Sequence, residues 1–168
     1  MKRRRLVALG GITVFGGLSG CSSVSGWGLH TPQTPDGMTV ETEHWGDGHV
    51  DSKGRERPSA IAVTSASEAT DAVLTLRTNR EDYDPIDFIE ETDFASWYLI
   101  LVEWMGASSG ASLELEHIKR RDYGLHVEAK VVEPDGVAPS DVSVHSLFIR
   151  VTDEQGDAPE RVTVTVRE

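Results

Sequence analysis

Residues 97–104 read Trp-Tyr-Leu-Ile-Leu-Val-Glu-Trp, an almost unbroken apolar run of strand length. A strand that is apolar on both faces has to be covered on both, so this run is expected to be a central strand. Trp97 and Trp104 stand at an odd separation and so project to opposite faces. One is expected in the core, and the other either beneath a helix or exposed toward a partner.

Working outward from that run, period-two patterns dominate the C-terminal side. Leu113 and Leu115 alternate with Glu114 and Glu116; Ala111, Leu115 and Ile118 also fit a helix, but strand neighbours favour strand. Leu125, Val127, Ala129 and Val131 alternate after the Tyr123-Gly124 turn and end at Pro134-Asp135-Gly136. His145, Leu147, Ile149 and Val151 form another such set, and Val162, Val164 and Val166 alternate with Thr163 and Thr165. On the N-terminal side, Ile61 and Val63 mark a short strand. Ser65 followed by Glu68 is a capping box, and Ala69, Ala72 or Val73, and Leu76 give one apolar stripe through about Asn79. Residues 81–93 hold seven acids and Pro85, an exposed connection anchored by Ile86, Phe88 and Ile89. The expected class is α+β and β-dominated, mainly an antiparallel β-sandwich or partly open barrel with one short early helix.

The 168 residues suffice for one domain. Residues 1–20 read as an export signal, with Lys2, Arg3, Arg4 and Arg5 ahead of an uncharged stretch from Leu6 to Leu18. That stretch, at ~1.5 Å rise per residue, is too short to span a bilayer. Leu18-Ser19-Gly20-Cys21 resembles the lipobox of bacterial and archaeal lipoproteins, which implies diacylglyceryl attachment at Cys21, the one cysteine of the chain. The arginines followed by Leu6 and Val7 also resemble a twin-arginine signal, and the Sec route stays open beside it. Residues 21–58, rich in Ser, Gly, Thr, Pro and charge, are expected to be a flexible tether, with a short strand possible at Met38–Trp45. Residues 59–168 are the expected globular domain.

Charge excludes one class of partner. The whole chain has 16 bases against 28 acids, and removing residues 1–20 leaves 12 against 28, or -16. Such a surface repels polyanions, so no nucleic acid is expected. Its acid-rich, lysine-poor composition resembles that of proteins secreted by salt-loving archaea, where a Debye length of ~3 Å at molar salt quenches self-repulsion. Asn79, the one asparagine, precedes Arg80 and Glu81 and is no glycosylation acceptor.

A strand, a Ser-x-x-Glu helix start, an acidic connection containing Asp87-Phe88 and Asp93-Phe94, an apolar strand and a Gly/Ser hairpin follow one another over residues 59–166. This order resembles the PrcB C-terminal-like domain, named for a protease-complex subunit and similar to domains of many secreted lipoproteins. Pro134 and Gly136 match its late turn, and Leu147, Phe148 and Ile149 its late strand. The hairpin Gly106-Ala107-Ser108-Ser109-Gly110-Ala111 lacks the aromatic residue usual in that family. The resemblance implies a non-catalytic accessory module and a protein complex as partner.

Several residue patterns bear on chemistry. Gly106, Ser108 and Gly110 spell Gly-x-Ser-x-Gly, with Asp141 and His145 in hydrolase order, but a nucleophile elbow needs a strand-to-helix turn in a parallel sheet, and a hairpin explains the same letters. Hydrolase is therefore ranked last. Asp82, Asp84 and Asp87 are candidate oxygen ligands for calcium, although Asp87 stands where an EF-hand loop needs glycine. His44, Asp47 and His49 offer three ligands without a fourth. His117, His126 and His145 fall on different strands with no Cys or carboxylate at ligand spacing, and read as strand-face residues. No cofactor and no metal are expected. The expected function is an exported, lipid-anchored, non-enzymatic cell-surface interaction module, contacting partners through Gly106, Ser108, Ser109 and Gly110. The alternative is a calcium-dependent surface binding protein.

Overall fold

The computed structural model describes residues 31–48, 57–74, 86–106, 110–133 and 142–168. In chain order the elements are β1 (Met38–Gly48), β2 (Ser59–Val63), α1 (Ala66–Leu74), α2 (Ile86–Glu90), β3 (Tyr98–Gly106), β4 (Ser112–Arg121), β5 (Gly124–Val132), β6 (Ser143–Asp153) and β7 (Val162–Arg167). They form a β-dominated sandwich with a thin helical layer. One sheet has the order β1-β6-β3-β2, and the other β4-β5-β7.

The apolar run at the centre of the sequence becomes β3, antiparallel to β6 on one side and to β2 on the other. Its even residues Tyr98, Ile100, Val102 and Trp104 join Leu147, Ile149 and Val151 of β6 to face Leu113, Leu115, Ile118, Leu125, Val127 and Ala129 of the second sheet. Its odd residues Leu99 and Leu101 join Phe148, Trp45 and Val63 on the opposite face, beneath Ala69 of α1 and Ile89 of α2. The first sheet is therefore buried on both faces, which is why β3 and β6 read as nearly continuous apolar strands. Each fully buried Leu or Ile side chain contributes roughly 1.5–3 kcal/mol of transfer free energy. Trp104 is the core tryptophan of the central strand, and Trp97, just ahead of β3, is half-buried.

α1 starts as its capping box predicts, with Ser65 Oγ accepting from the Glu68 amide at 3.3 Å. The Glu68 carboxylate reaches one residue further back and accepts from the Thr64 amide at 3.0 Å and its hydroxyl at 3.1 Å. These bonds hold the Glu68 carboxyl below its ordinary range. The expected extension of this helix to Asn79 lies outside the described residues.

The tether boundary is corrected. Residues 38–48, assigned above to a linker, form an eleven-residue strand antiparallel to β6 from Met38↔Asp153 to Gly48↔Val144. Met38 and Val40 enter the inter-sheet core, and Trp45 enters the core beneath the helices. The order begins earlier still. Gln33 donates from its amide to the Glu116 carbonyl and accepts from the Ile118 amide, both at 2.9 Å, so the chain closes on the edge of β4. The strand marked at Met38–Trp45 is thus present, extends to Gly48 and is an edge strand of the first sheet, whose Thr and Glu residues give it the composition of a linker.

β4 carries a bulge between Leu115 and His117, leaving Glu116 unpaired in the ladder. The bulge shifts the inward phase by one, which places both Leu115 and Ile118 in the core. The three-residue spacing that also fitted a helix is thus a phase break in a strand. β7 pairs with β5 in parallel, Leu125↔Val162 through Lys130↔Arg167, the one parallel pair between named strands among the described residues.

Candidate functional site

Strand alternation assigns two different surfaces to the three-stranded sheet. Its inner face is the core; on its outer face, residues of β4, β5 and β7 build a network of ionisable groups around Glu128. Glu128 sits in the middle strand opposite His117, because the bulge at Glu116 sets that register. Its side chain is only 10% exposed. It accepts from Lys119 at one oxygen and from Arg167 Nη2 at 2.9 Å at the other. His117 Nδ1 lies 3.3 Å from Oε2, and His126 Nε2 lies 4.0 Å from Oε1. Arg167 also pairs with Glu116 at 3.2 Å, and Lys130 with Glu114 at 2.9 Å.

These contacts set the electrostatics. The hydrogen bond from Lys119 holds the Glu128 carboxyl below its ordinary range against the opposing effect of desolvation, helped by the charges of Lys119, Arg167 and His117. The hydrogen bond to Glu114 raises Lys130 in turn. Three carboxylates (Glu114, Glu116, Glu128) meet three permanent cations (Lys119, Lys130, Arg167), so the network is neutral before histidine is counted. The remaining described residues hold 5 bases against 18 acids. The outer face is a neutral island on an acidic molecule.

His126 is held by β7. Its Nδ1 lies 2.9 Å from Thr163 Oγ1, whose own hydroxyl donates to the Leu125 carbonyl at 3.4 Å. Its Nε2 stands 3.4 Å from Thr165 Oγ1, so both ring nitrogens of His126 meet hydroxyls of β7.

A second group of polar side chains is enclosed. His145 is fully buried, stacked on His44 with 6.1 Å between ring centroids and tilted against Trp104 at 5.4 Å. Burial, and then the charge of His145, lowers the His44 pKa to about 4. His145, read from the sequence as a strand-face residue in phase with Leu147 and Ile149, lies on the inner face of β6. It points between the sheets because it shares the phase of Leu147 and Ile149, sealed from any external substrate.

The other sequence-derived candidates are dispersed. Gly106 ends β3, and Gly110 is an exposed turn residue; Ser108, Ser109 and Asp141 lie outside the described residues. Asp87 is exposed in the first turn of α2, while Asp82, Asp84, His49 and Cys21 fall outside the described residues. Glu128 stands beside both His117 and His126 on this face, although among the described residues no three His, Cys, Asp or Glu side chains are placed to hold a metal ion. His126 and Glu128, two apart on one strand, necessarily share a face, a signal present in the sequence. The approach of His117 required the cross-strand register. Comparison with protein-family models, with curated proteins and with solved structures finds no match.

Proposed function

We propose that this chain is an exported, lipid-anchored, non-enzymatic module of the cell surface that docks another protein on the outer face of β4-β5-β7. The observation that carries the docking surface is the neutral network around Glu128. An acidic surface protein is repelled by the remainder of the described chain but meets fixed, mutually compensated charges here. The face also has no helix packed on it among the described residues, whereas the first sheet is covered on both sides. The anchor rests on Leu18-Ser19-Gly20-Cys21. Two acyl chains at ~0.8 kcal/mol per buried CH₂ hold a protein stably where one is marginal. An assembly role of the kind implied by the resemblance to PrcB C-terminal-like domains agrees with a surface of this type.

Two experiments test the reading. Membrane fractionation compares wild type with Cys21→Ser; equal partition of both into membranes defeats the anchor. Cross-linking in detergent-solubilised membranes compares wild type with a Lys119→Glu, Arg167→Glu double variant. The wild type should retain an acidic protein partner that the variant loses, and retention by both removes the docking face.

A further inference from the structure

Most cations among the described residues are neutralised inside the fold. Lys119, Arg120, Lys130, Arg150 and Arg167 each pair with a carboxylate. Arg57, Arg121 and Arg161 have no ion-pair partner among the described residues, although the chain carries 28 acids. Two of these three stand at one corner. Arg121 ends β4 as the register partner of Gly124. Because Gly124 has no Cβ, the Arg161 backbone closes onto β5, where its carbonyl accepts from the Leu125 amide at 3.1 Å. That approach sets the Arg161 guanidinium 5.3 Å from the ring centroid of Tyr123, the residue before Gly124 in the turn. Tyr123 is itself 48% exposed. Asp122 and Glu160, the carboxylates next in sequence, form an ion pair with neither arginine.

We propose that Arg121, Tyr123 and Arg161 form a clamp for a short acidic segment of a partner protein, whose carboxylates the two guanidinium groups bind. The clamp rests on the docking reading for the partner being a protein, and adds to it the point of attachment and the chemistry recognised there. Alternation puts Arg121 on the same outer face as His117 and Lys119, at its edge, so the clamp continues the docking face. A guanidinium laid over an aromatic ring keeps its N–H edges outward for a carboxylate, and stacking holds it in place, so less freedom is lost on binding. Arg and Tyr are also the side chains that most often dominate a binding surface. Charge selects a short segment over an extended polyanion. A nucleic acid or an anionic bilayer meets the -16 charge of the exported chain together with the corner, whereas a few carboxylates meet the corner alone.

The test is titration of a fluorescein-labelled hexa-aspartate peptide with the full chain at fixed salt, read by fluorescence anisotropy. Wild type should bind it saturably. Arg121→Gln and Arg161→Gln should each weaken binding by about threefold, as expected for exposed ion pairs, and the double variant by about tenfold. Asp122→Asn should strengthen binding, a gain that misfolding cannot produce. Arg57→Gln, which removes the same charge ahead of β2, should leave the affinity unchanged. The proposal is overturned by absence of saturable binding, by unchanged affinity in the double variant, by an equal loss in Arg57→Gln, or by weaker binding in Asp122→Asn. Cross-linking separates it from the docking reading. If the Arg121→Gln, Arg161→Gln variant keeps a partner that the Lys119→Glu, Arg167→Glu variant loses, the clamp falls and the docking face stands; if the Lys119→Glu, Arg167→Glu variant keeps the partner and the peptide still binds as described, the docking face falls and the clamp stands.

Discussion

The indole of Trp104 lies directly over Gly106, two residues further along β3, so closely that a Cβ at position 106 would stand 1.8 Å from Cη2 of the ring. The glycine thus makes room for the core tryptophan at the end of the strand, where the ring also meets His145. Gly106→Ala is expected to expel the indole and destabilise the fold by about 1–3 kcal/mol, as overpacking does. Chemical denaturation monitored by tryptophan fluorescence measures this. Trp104→Leu in the same chain should recover part of the loss, and additive effects of the two substitutions would show that ring and glycine are not coupled.

Gly124 opens β5 at a φ of +131° with the Arg161 carbonyl 2.1 Å from where a Cβ would stand. The Leu125 amide donates to that same carbonyl at the start of the parallel β5-β7 ladder. Gly124→Ala should therefore push β7 away from β5 and raise amide exchange from Leu125 through Lys130 while β3 and β6 stay protected. Uniformly faster exchange, or none, would sink this account.

Arg150 ties the helical layer to the first sheet. Its Nε donates to Thr92 Oγ1 at 3.0 Å, Nη1 to Glu41 at 2.7 Å and Nη2 to the Phe88 carbonyl at 2.8 Å, with the guanidinium 4.2 Å from the Phe88 ring centroid. A lysine cannot reproduce this fork. Arg150→Lys is expected to cost on the order of 2 kcal/mol, since several hydrogen bonds of a mostly buried group are lost together. Thermal unfolding at fixed salt reads the change, and a melting temperature equal to wild type would remove Arg150 as a staple.

Acidification should unlock the His44 end of the sandwich. With its folded-state pKa lowered to about 4 from an unfolded value near 6.5, His44 takes up a proton more readily once the chain unfolds. Its contribution is complete above pH 6.5 and is lost progressively as pH falls toward 4, by about 3 kcal/mol in all. His44→Phe should flatten stability between pH 6.5 and 4 relative to wild type. Denaturation midpoints across that interval decide it; parallel curves for the two proteins would contradict it.

Local pattern was enough to determine the class of this fold. The run from Trp97 to Trp104 is apolar on both faces, which requires cover on both, and the alternating valines and leucines of β5, β6 and β7 state their inward faces without reference to neighbours. Ser65 and Glu68 place the start of α1 for the same reason, because capping is a contact within one turn. Tertiary structure decided the rest. β1 shows only a short alternation at Met38–Trp45 within a linker-like stretch, and becomes part of the domain because β6 offers a free edge and both cores accept its side chains. A bulge at Glu116, met on its outer edge by Gln33, turns the ambiguous spacing of Leu115 and Ile118 into a strand and sets His117 opposite Glu128. The fold places the ionisable face through cross-strand register, a relation between residues distant in the chain that local periodicity does not encode.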